Sequence, residues 1–549
     1  MKKIYADDYN ILPGREVAAQ LNALLAALAA DDEQKALVFK KGEYFIDADN
    51  APQPVLHITN TIGDGEWKKG EEPHRNRAAI LFDKIKNLTV EGNSALFTVR
   101  GQLTNAVMRD CVNLTLKDLS FKAVNPDMHA LKVVKKGKSF IDFETDAQSE
   151  YEYRNGKYFF VGKDYNTPFC ESRFTAYWIG KVPKDNLRSV FRTSHPLRGA
   201  ISVRGKGDRV FRARYIFKPF CEEGDEYYLF DVRRKYQGIF AERCNNLVLD
   251  GVKQHFNYGL ASVFQDCEDV TVKNCVFAPD AESPKKLASV ADFMQVCCCR
   301  GKVIVRDNVF CGAGDDCLNV HGIHFPLKNL RGNSAEAVFR HPQTHGFCPF
   351  RQGDRVRFVN PLTLLPEDRA AVIGAEQKDE YTLSLTFDKN LSEKHARCVI
   401  ENATACPDLV FSGNSVDRII TRGVLITTSG RVLVENNDFK NTSMHAVLVS
   451  DDAKNWYESG FVQDVEIRNN RFSANKGYYV CVKPENSKFA GFVHSGVKIE
   501  NNIFASEYSK GLYFKDTGRA EVRGNSYVCG KKTKIIRSEV RSDVKEAGK

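Results

Sequence analysis

Val303-Ile304-Val305-Arg306-Asp307-Asn308-Val309-Phe310 decides the fold, because the same order of residue types returns at Val432 to Phe439, Val465 to Phe472 and Val497 to Phe504. Each copy begins with two apolar residues at period two, the mark of a short strand with one buried face. It then turns at an Asn and ends on an aromatic ring. Weaker copies end at Phe121, Phe277 and Tyr527. The aromatic residues lie 33 (Phe277 to Phe310, Phe439 to Phe472), 32 (Phe472 to Phe504) and 23 (Phe504 to Tyr527) positions apart, each the length of one supersecondary unit. Asn308, Asn437, Asn470, Asn502 and Asn525 share one register, in which stacked amides can satisfy turns cut off from water.

A second alternating strand follows each aromatic residue, at Cys317 to Val320, Ala446 to Val449, Tyr479 to Val482 and Gly511 to Phe514. Eight and ten positions beyond the aromatic ring the residue is apolar in all four copies, so these positions face inward and their neighbours outward. Short strands at this period, with no helical intervals, predict an all-β chain built as a right-handed parallel β-helix. The stretch Val17 to Ala30, interrupted by Gln20 and Asn22, predicts an N-terminal capping helix over the open end of the solenoid. The period lapses twice, and alternation such as Lys157 to Val161 and Arg355 to Val359 predicts two inserted small β-barrel-like domains. The expected division is N-terminal coils with the capping helix at 1–135, a first insert at 136–236, coils carrying the chemistry at 237–322, a second insert at 323–422, and C-terminal coils at 423–549.

Of the 549 residues 42% are hydrophobic, enough for a large core, which excludes disorder as the main state. The net charge of +9 is diluted along the chain with no Lys/Arg block, which argues against nucleic acid as a partner. No 18-residue apolar run exists, so membrane insertion by a helix is not expected. Met1 leads directly into Tyr5-Ala6-Asp7-Asp8 with no targeting segment, and the 16 cysteines include the run Cys297-Cys298-Cys299, whose neighbours point to opposite strand faces. Both features favour buried thiols in a cytoplasmic chain, with secretion or a periplasmic location if a leader has been removed. Exposed inserts offer surfaces through which two chains can pair as a homodimer.

The sharpest local feature is Gly312-Ala313-Gly314-Asp315-Asp316-Cys317-Leu318-Asn319-Val320-His321-Gly322. Adjacent carboxylates repel, and on their own they read equally as a solvated turn or a calcium pair. Register changes that reading. Aligning Leu318 and Val320 with Met294 and Val296 of the preceding coil places Asp292 beside Asp316, with Asp315 one residue away. Three carboxyls raised onto one surface suit glycoside hydrolysis, in which one must donate a proton while others polarise water. Asp315 then faces the leaving group, and Asp292 and Asp316 share the water, an arrangement that predicts inversion of the anomeric centre. No cofactor is called for.

At these residues the sequence resembles two families. Gly314-Asp315-Asp316-Cys317 with an upstream Asp is similar to the polygalacturonases, inverting β-helix enzymes, although their Arg-Ile-Lys signature is missing and Lys483 is its nearest stand-in. The fuller resemblance, covering most of the chain, is to glycoside hydrolase family 110, the α-1,3-galactosidases that act on blood-group-B-type glycans. It is carried by Ala288 to Asp292, Gly312 to Gly322, Arg431 to Asn437, and Ser450-Asp451-Asp452 through Asn455 to Gly460. The resemblance implies a β-helix with two barrel inserts, Asp315 as general acid, Asp292 and Asp316 as bases, no metal, and a galactose-terminated oligosaccharide or glycoconjugate as partner. Outward polar and aromatic groups on nearby coils are the candidates for binding the sugar: Asn319, His321, His445, Trp456 and Glu458. A hydrolase of acidic sugars, marked by a basic groove, and a β-helical glycan binder without catalysis are the competing readings.

Overall fold

The computed structural model describes residues 1–61, 74–170, 175–181, 188–230, 233–528, 536–538 and 542–547. Parallel strands stack coil upon coil. One sheet runs from Ala78–Asp83 through Ile239–Glu242, Ser262–Gln265, Met294–Cys297, Leu318–Ile323, Val424–Thr427, Val447–Val449 and Val480–Val482 to Ile536–Ser538. The strands that carry the repeat, Arg300–Arg306, Asp408–Ser412, Val432–Glu435, Val465–Arg468 and Val497–Glu500, pair in the same parallel manner. Leu318, Val320, Val447, Val449, Val480, Val482, Leu512 and Phe514 all point into one continuous core, as the alternation predicts.

The asparagines form the expected column. Nδ2 of Asn308 donates to Oδ1 of Asn414, and the chain continues from Asn414 to Asn437, Asn470, Asn502 and Asn525 at 2.9–3.1 Å. The second amide proton of each goes to a backbone carbonyl, so buried turns keep their hydrogen bonds without water. Behind them the rings of Phe277 and Phe310, Phe439 and Phe472, and Phe472 and Phe504 stack at 5.0–5.3 Å. Most cysteines of the described residues are buried thiols, Cys244, Cys267 and Cys299 among them in the core.

The N-terminal helix spans Ala18–Leu28 and buries Leu21, Leu24, Leu25 and Leu28 against the end of the solenoid. Asn22, the polar break in its apolar run, closes the sheet edge: its Nδ2 donates to the Ala79 carbonyl and its Oδ1 accepts from the Leu81 N–H.

Both inserts are present with boundaries that differ from those expected. The first begins at Met128, not 136, because Met128–Lys136 pairs antiparallel with Glu226–Phe230 and leaves the solenoid. Its seven-stranded sheet and a three-stranded sheet enclose Phe143, Phe160, Phe169 and Phe211. The second is a closed barrel of six strands from Phe325–Arg331 to Val399–Asn402. The solenoid resumes at Asp408, not 423. Leu409-Val410-Phe411-Ser412-Gly413-Asn414-Ser415-Val416 is a further copy of the repeat in which Val416 replaces the aromatic residue, and Asn414 takes its place in the column.

Candidate active site

The strand Met294–Cys297 pairs in parallel with Leu318–Ile323, Met294 opposite Leu318 and Val296 opposite Val320, which is the register the sequence predicts. The ladder extends one step further back, where the Phe293 N–H donates to the Asp316 carbonyl at 2.9 Å. Asp292 and Asp316 therefore stand on neighbouring coils, and the Asp316 N–H points at Oδ1 of Asp292 at 3.3 Å. Gly314 makes the close approach possible: a Cβ there would lie 2.2 Å from the Val290 carbonyl oxygen, so only glycine lets this turn press against the coil below.

Two arginines hold the cluster. Arg422 sits on the next coil in the same register, since Val424 pairs with Leu318. Its backbone N–H and Nε donate to Oδ1 of Asp316 at 2.9 and 2.7 Å, and its Nη2 to Oδ2 at 2.5 Å. Arg234 Nη2 donates to Asp315 Oδ2 at 2.9 Å, and the Thr421 hydroxyl donates to Asp315 Oδ1 at 3.1 Å and also to Asp316. Asp292 lies deepest. Burial, with Asp315 and Asp316 beside it, pushes its carboxyl well above the usual range even against Arg234 and Arg422. Asp292 and Asp316 are 2% and 1% exposed, whereas the Asp315 side chain is 17% exposed and is the most accessible of the three.

The candidate binding residues divide into two places. Asn319, His321, Glu458 and Trp456 come together beside the cluster. Asn319 Nδ2 donates to Glu458 Oε1 at 3.0 Å, and His321 Nε2 lies 3.7 Å from the same carboxylate. Burial works to lower His321, but Glu458 and its other neighbours raise it on balance. His321, Glu458 and Trp456 line a small cavity with Gln295, Arg340 and His341, and Trp456 stacks on His341 at 4.5 Å. His445 is separate from this cavity. It stands one coil beyond Arg422 in the column of Asp316, stacks near Tyr478 at 5.4 Å, and is held down to about 4 by burial and by Arg422.

Sequence reasoning missed Arg234, Thr421 and Arg422, which fell in stretches assigned to the inserts. The signal for Arg422 was present: once Val424 and Ile426 are aligned with Leu318 and Val320, Arg422 falls opposite Asp316. Gln295 was also missed. It pairs across the strands with Asn319, and its Oε1 and the Asn319 Oδ1 are both buried acceptors without a hydrogen-bond donor, a pair suited to sugar hydroxyls.

The family model described as "Right handed beta helix region" matches residues 398–535, and "GLAA-B beta-barrel domain II" matches residues 336–397. Fold and site together define a right-handed parallel β-helix protein that carries an inserted barrel of the GLAA-B kind. Its relatives include proteins named alpha-1,3-galactosidase. The chain is 27% identical over 496 residues to alpha-1,3-galactosidase A of Bacteroides thetaiotaomicron, covering 89% of this chain and 85% of that one. It is 29% identical over 529 residues to alpha-1,3-galactosidase A of Streptomyces avermitilis, covering 91% and 83%. To alpha-1,3-galactosidase B of Phocaeicola vulgatus it is 29% identical over 454 residues, covering 79% and 72%. The resemblance to the α-1,3-galactosidases of glycoside hydrolase family 110 is thereby borne out along most of the chain.

Proposed function

We propose that the chain is an inverting, exo-acting glycoside hydrolase that releases terminal α-1,3-linked galactose from blood-group-B-type and linear α-galactosyl glycans. The observation that carries this reading is the convergence of Asp292, Asp315 and Asp316 from two coils, in a chain related along most of its length to α-1,3-galactosidases. Asp315, the accessible carboxyl, donates the proton to the leaving oxygen. Asp316, fixed as an acceptor by Arg422, and Asp292 on the coil below hold the attacking water. Gln295, Asn319 and Glu458 offer acceptors for sugar hydroxyls, and the Trp456 ring offers an apolar face for the sugar.

Charge at the site favours a neutral sugar over an acidic one. Arg234 and Arg422 are each engaged by a carboxylate of the cluster, and Lys483 Nζ reaches Glu485 at 2.9 Å, so these three cations are already committed to carboxylates of the chain. Proton NMR of the full chain with blood-group-B trisaccharide tests the proposal. Release of β-galactose at the earliest time points is expected. Early α-galactose would overturn inversion, and no galactose, with turnover of oligogalacturonides, would overturn the substrate class.

A second reading of the acid rests on Asp292, the carboxyl that burial and its neighbours push upward. In that reading the proton starts on Asp292, and Asp315 contacts substrate as a carboxylate. The two readings part on substrates with different leaving groups, as set out in the Discussion.

A further inference from the structure

His57, His74 and His345 lie outside the carboxylate cluster, yet their ligand nitrogens all fall within 4.8 Å of one another. Two of them are brought together by the backbone: Val55 and Arg75 form an antiparallel bridge, and the Leu56 N–H donates to the His74 carbonyl at 2.8 Å. The third comes from the inserted barrel, on the connection between the strands Ser334–Val338 and Arg355–Val359. The rings of His57 and His74 are 4.2 Å apart, and those of His74 and His345 5.1 Å. Gly346 is shaped for this meeting, since a Cβ there would lie 2.2 Å from Nδ1 of His57. His57 Nδ1 is itself buried and has no hydrogen-bond partner.

Each neutral imidazole carries one nitrogen lone pair that a borderline-soft cation accepts. Nitrogens about 2.0–2.1 Å from one zinc ion stand about 3.3–3.5 Å apart in a tetrahedron, so a modest closure of the present group suffices. Tyr381 stacks on His345 at 4.3 Å and its hydroxyl lies 3.5 Å from His345 Nε2, and a water would complete the tetrahedron.

We propose that His57, His74 and His345 bind a zinc ion that fastens the inserted barrel to the N-terminal coils. The clip is structural and has no part in bond cleavage. Its place gives it a consequence for the cleft. His345 follows Thr344, whose hydroxyl is 3.0 Å from that of Thr59, and Thr344 and Asn60 both line the cavity that holds His321, Trp456 and Glu458. A bound ion would hold that wall in place.

The test uses the full chain without a histidine tag, stripped with a chelator and titrated with zinc alone and with cobalt(II) alone. One saturable zinc per chain is expected, with a rise in the thermal midpoint. The cobalt form should show the intense visible absorption of a four-coordinate, nitrogen-rich site. His345→Gln should bind zinc at least about tenfold more weakly, and His57→Gln, on the other side of the junction, should do the same. Absence of saturable binding, a weak six-coordinate cobalt spectrum, or unchanged affinity in both folded variants would each overturn the proposal. The cobalt spectrum is read on the unmutated chain, so the outcome does not depend on how a variant folds.

Discussion

Arg422 closes on Asp316 from the next coil of the solenoid with three donors, its backbone N–H, Nε and Nη2, while the Asp316 side chain is all but sealed from solvent. A forked cation matched to one carboxylate fixes the orientation of that group. Removing the fork leaves a buried carboxylate without its partner, so Arg422→Ala should cost about 3–5 kcal/mol of stability and most of the activity. Arg422→Lys keeps the charge but not the geometry. It should fold and yet lose at least about tenfold in kcat, which urea unfolding and steady-state kinetics on one preparation would separate.

The identity of the acid is settled by leaving-group chemistry. A leaving group that departs without protonation makes a general acid dispensable, whereas the water-activating base stays necessary. Asp315→Asn should lose about 100- to 10,000-fold on the trisaccharide and recover much of that on an activated aryl α-galactoside, and Asp292→Asn should lose activity on both. Rescue of Asp292→Asn instead would assign the donated proton to Asp292.

Asp292 also makes stability depend on pH with a defined sign. Its carboxyl is raised by burial and by Asp315 and Asp316, so the folded chain keeps a proton that an unfolded Asp gives up near about pH 3.9. The associated stabilisation is complete below that pH and is lost as the pH rises towards the folded value. Asp292→Asn carries no such term. Its advantage over the unmutated chain should grow as the pH rises above about 4, and parallel urea midpoints would contradict the assignment.

The asparagine column makes a separate prediction far from the cleft. Asn470 Oδ1 accepts from both the backbone N–H and Nδ2 of Asn437, and its own Nδ2 donates to the Val434 carbonyl. Asn470→Ala strands two buried donors and a carbonyl, and should cost about 3 kcal/mol or more with kcat unchanged. Asn525→Ala, at the less buried end of the column, should cost less.

Trp456 is half exposed and held flat against His341, a posture for contact with a sugar ring. Trp456→Ala should raise KM for the trisaccharide by about tenfold and leave kcat nearly unchanged. An equal fall in kcat would place the ring at the reacting sugar.

The register of the cluster was legible from one rule, the period of two along a strand. It carried Asp292 to Asp316 because no insertion intervenes between Met294 and Leu318. The same rule fails across the barrel, where the coil that bears Arg422 begins with a repeat lacking its aromatic marker, and Val416 hides the return. Arg234 obeys no period. It lies between the first insert and the strand Ile239–Glu242, and only the packed structure brings it to Asp315. The cavity is equally illegible, because His341 and Arg340 reach it from the barrel across a long stretch of chain, and no local pattern records which insert loop faces which coil.

The barrel between the two halves of the site has a kinetic meaning. Asp316 and Arg422 are 106 residues apart in the chain, and closing a free loop of that length would cost about 4 kcal/mol in chain entropy above a constant. Phe325, just past the strand of the carboxylates, pairs with Ile400 at the far end of the barrel. Once the barrel has closed, it hands its two ends back side by side, and the coil of Arg422 needs only a short reach to lie down on the coil of Asp316. Barrel closure thus shortens the reach that joins the coil of Arg422 to the coil of Asp316.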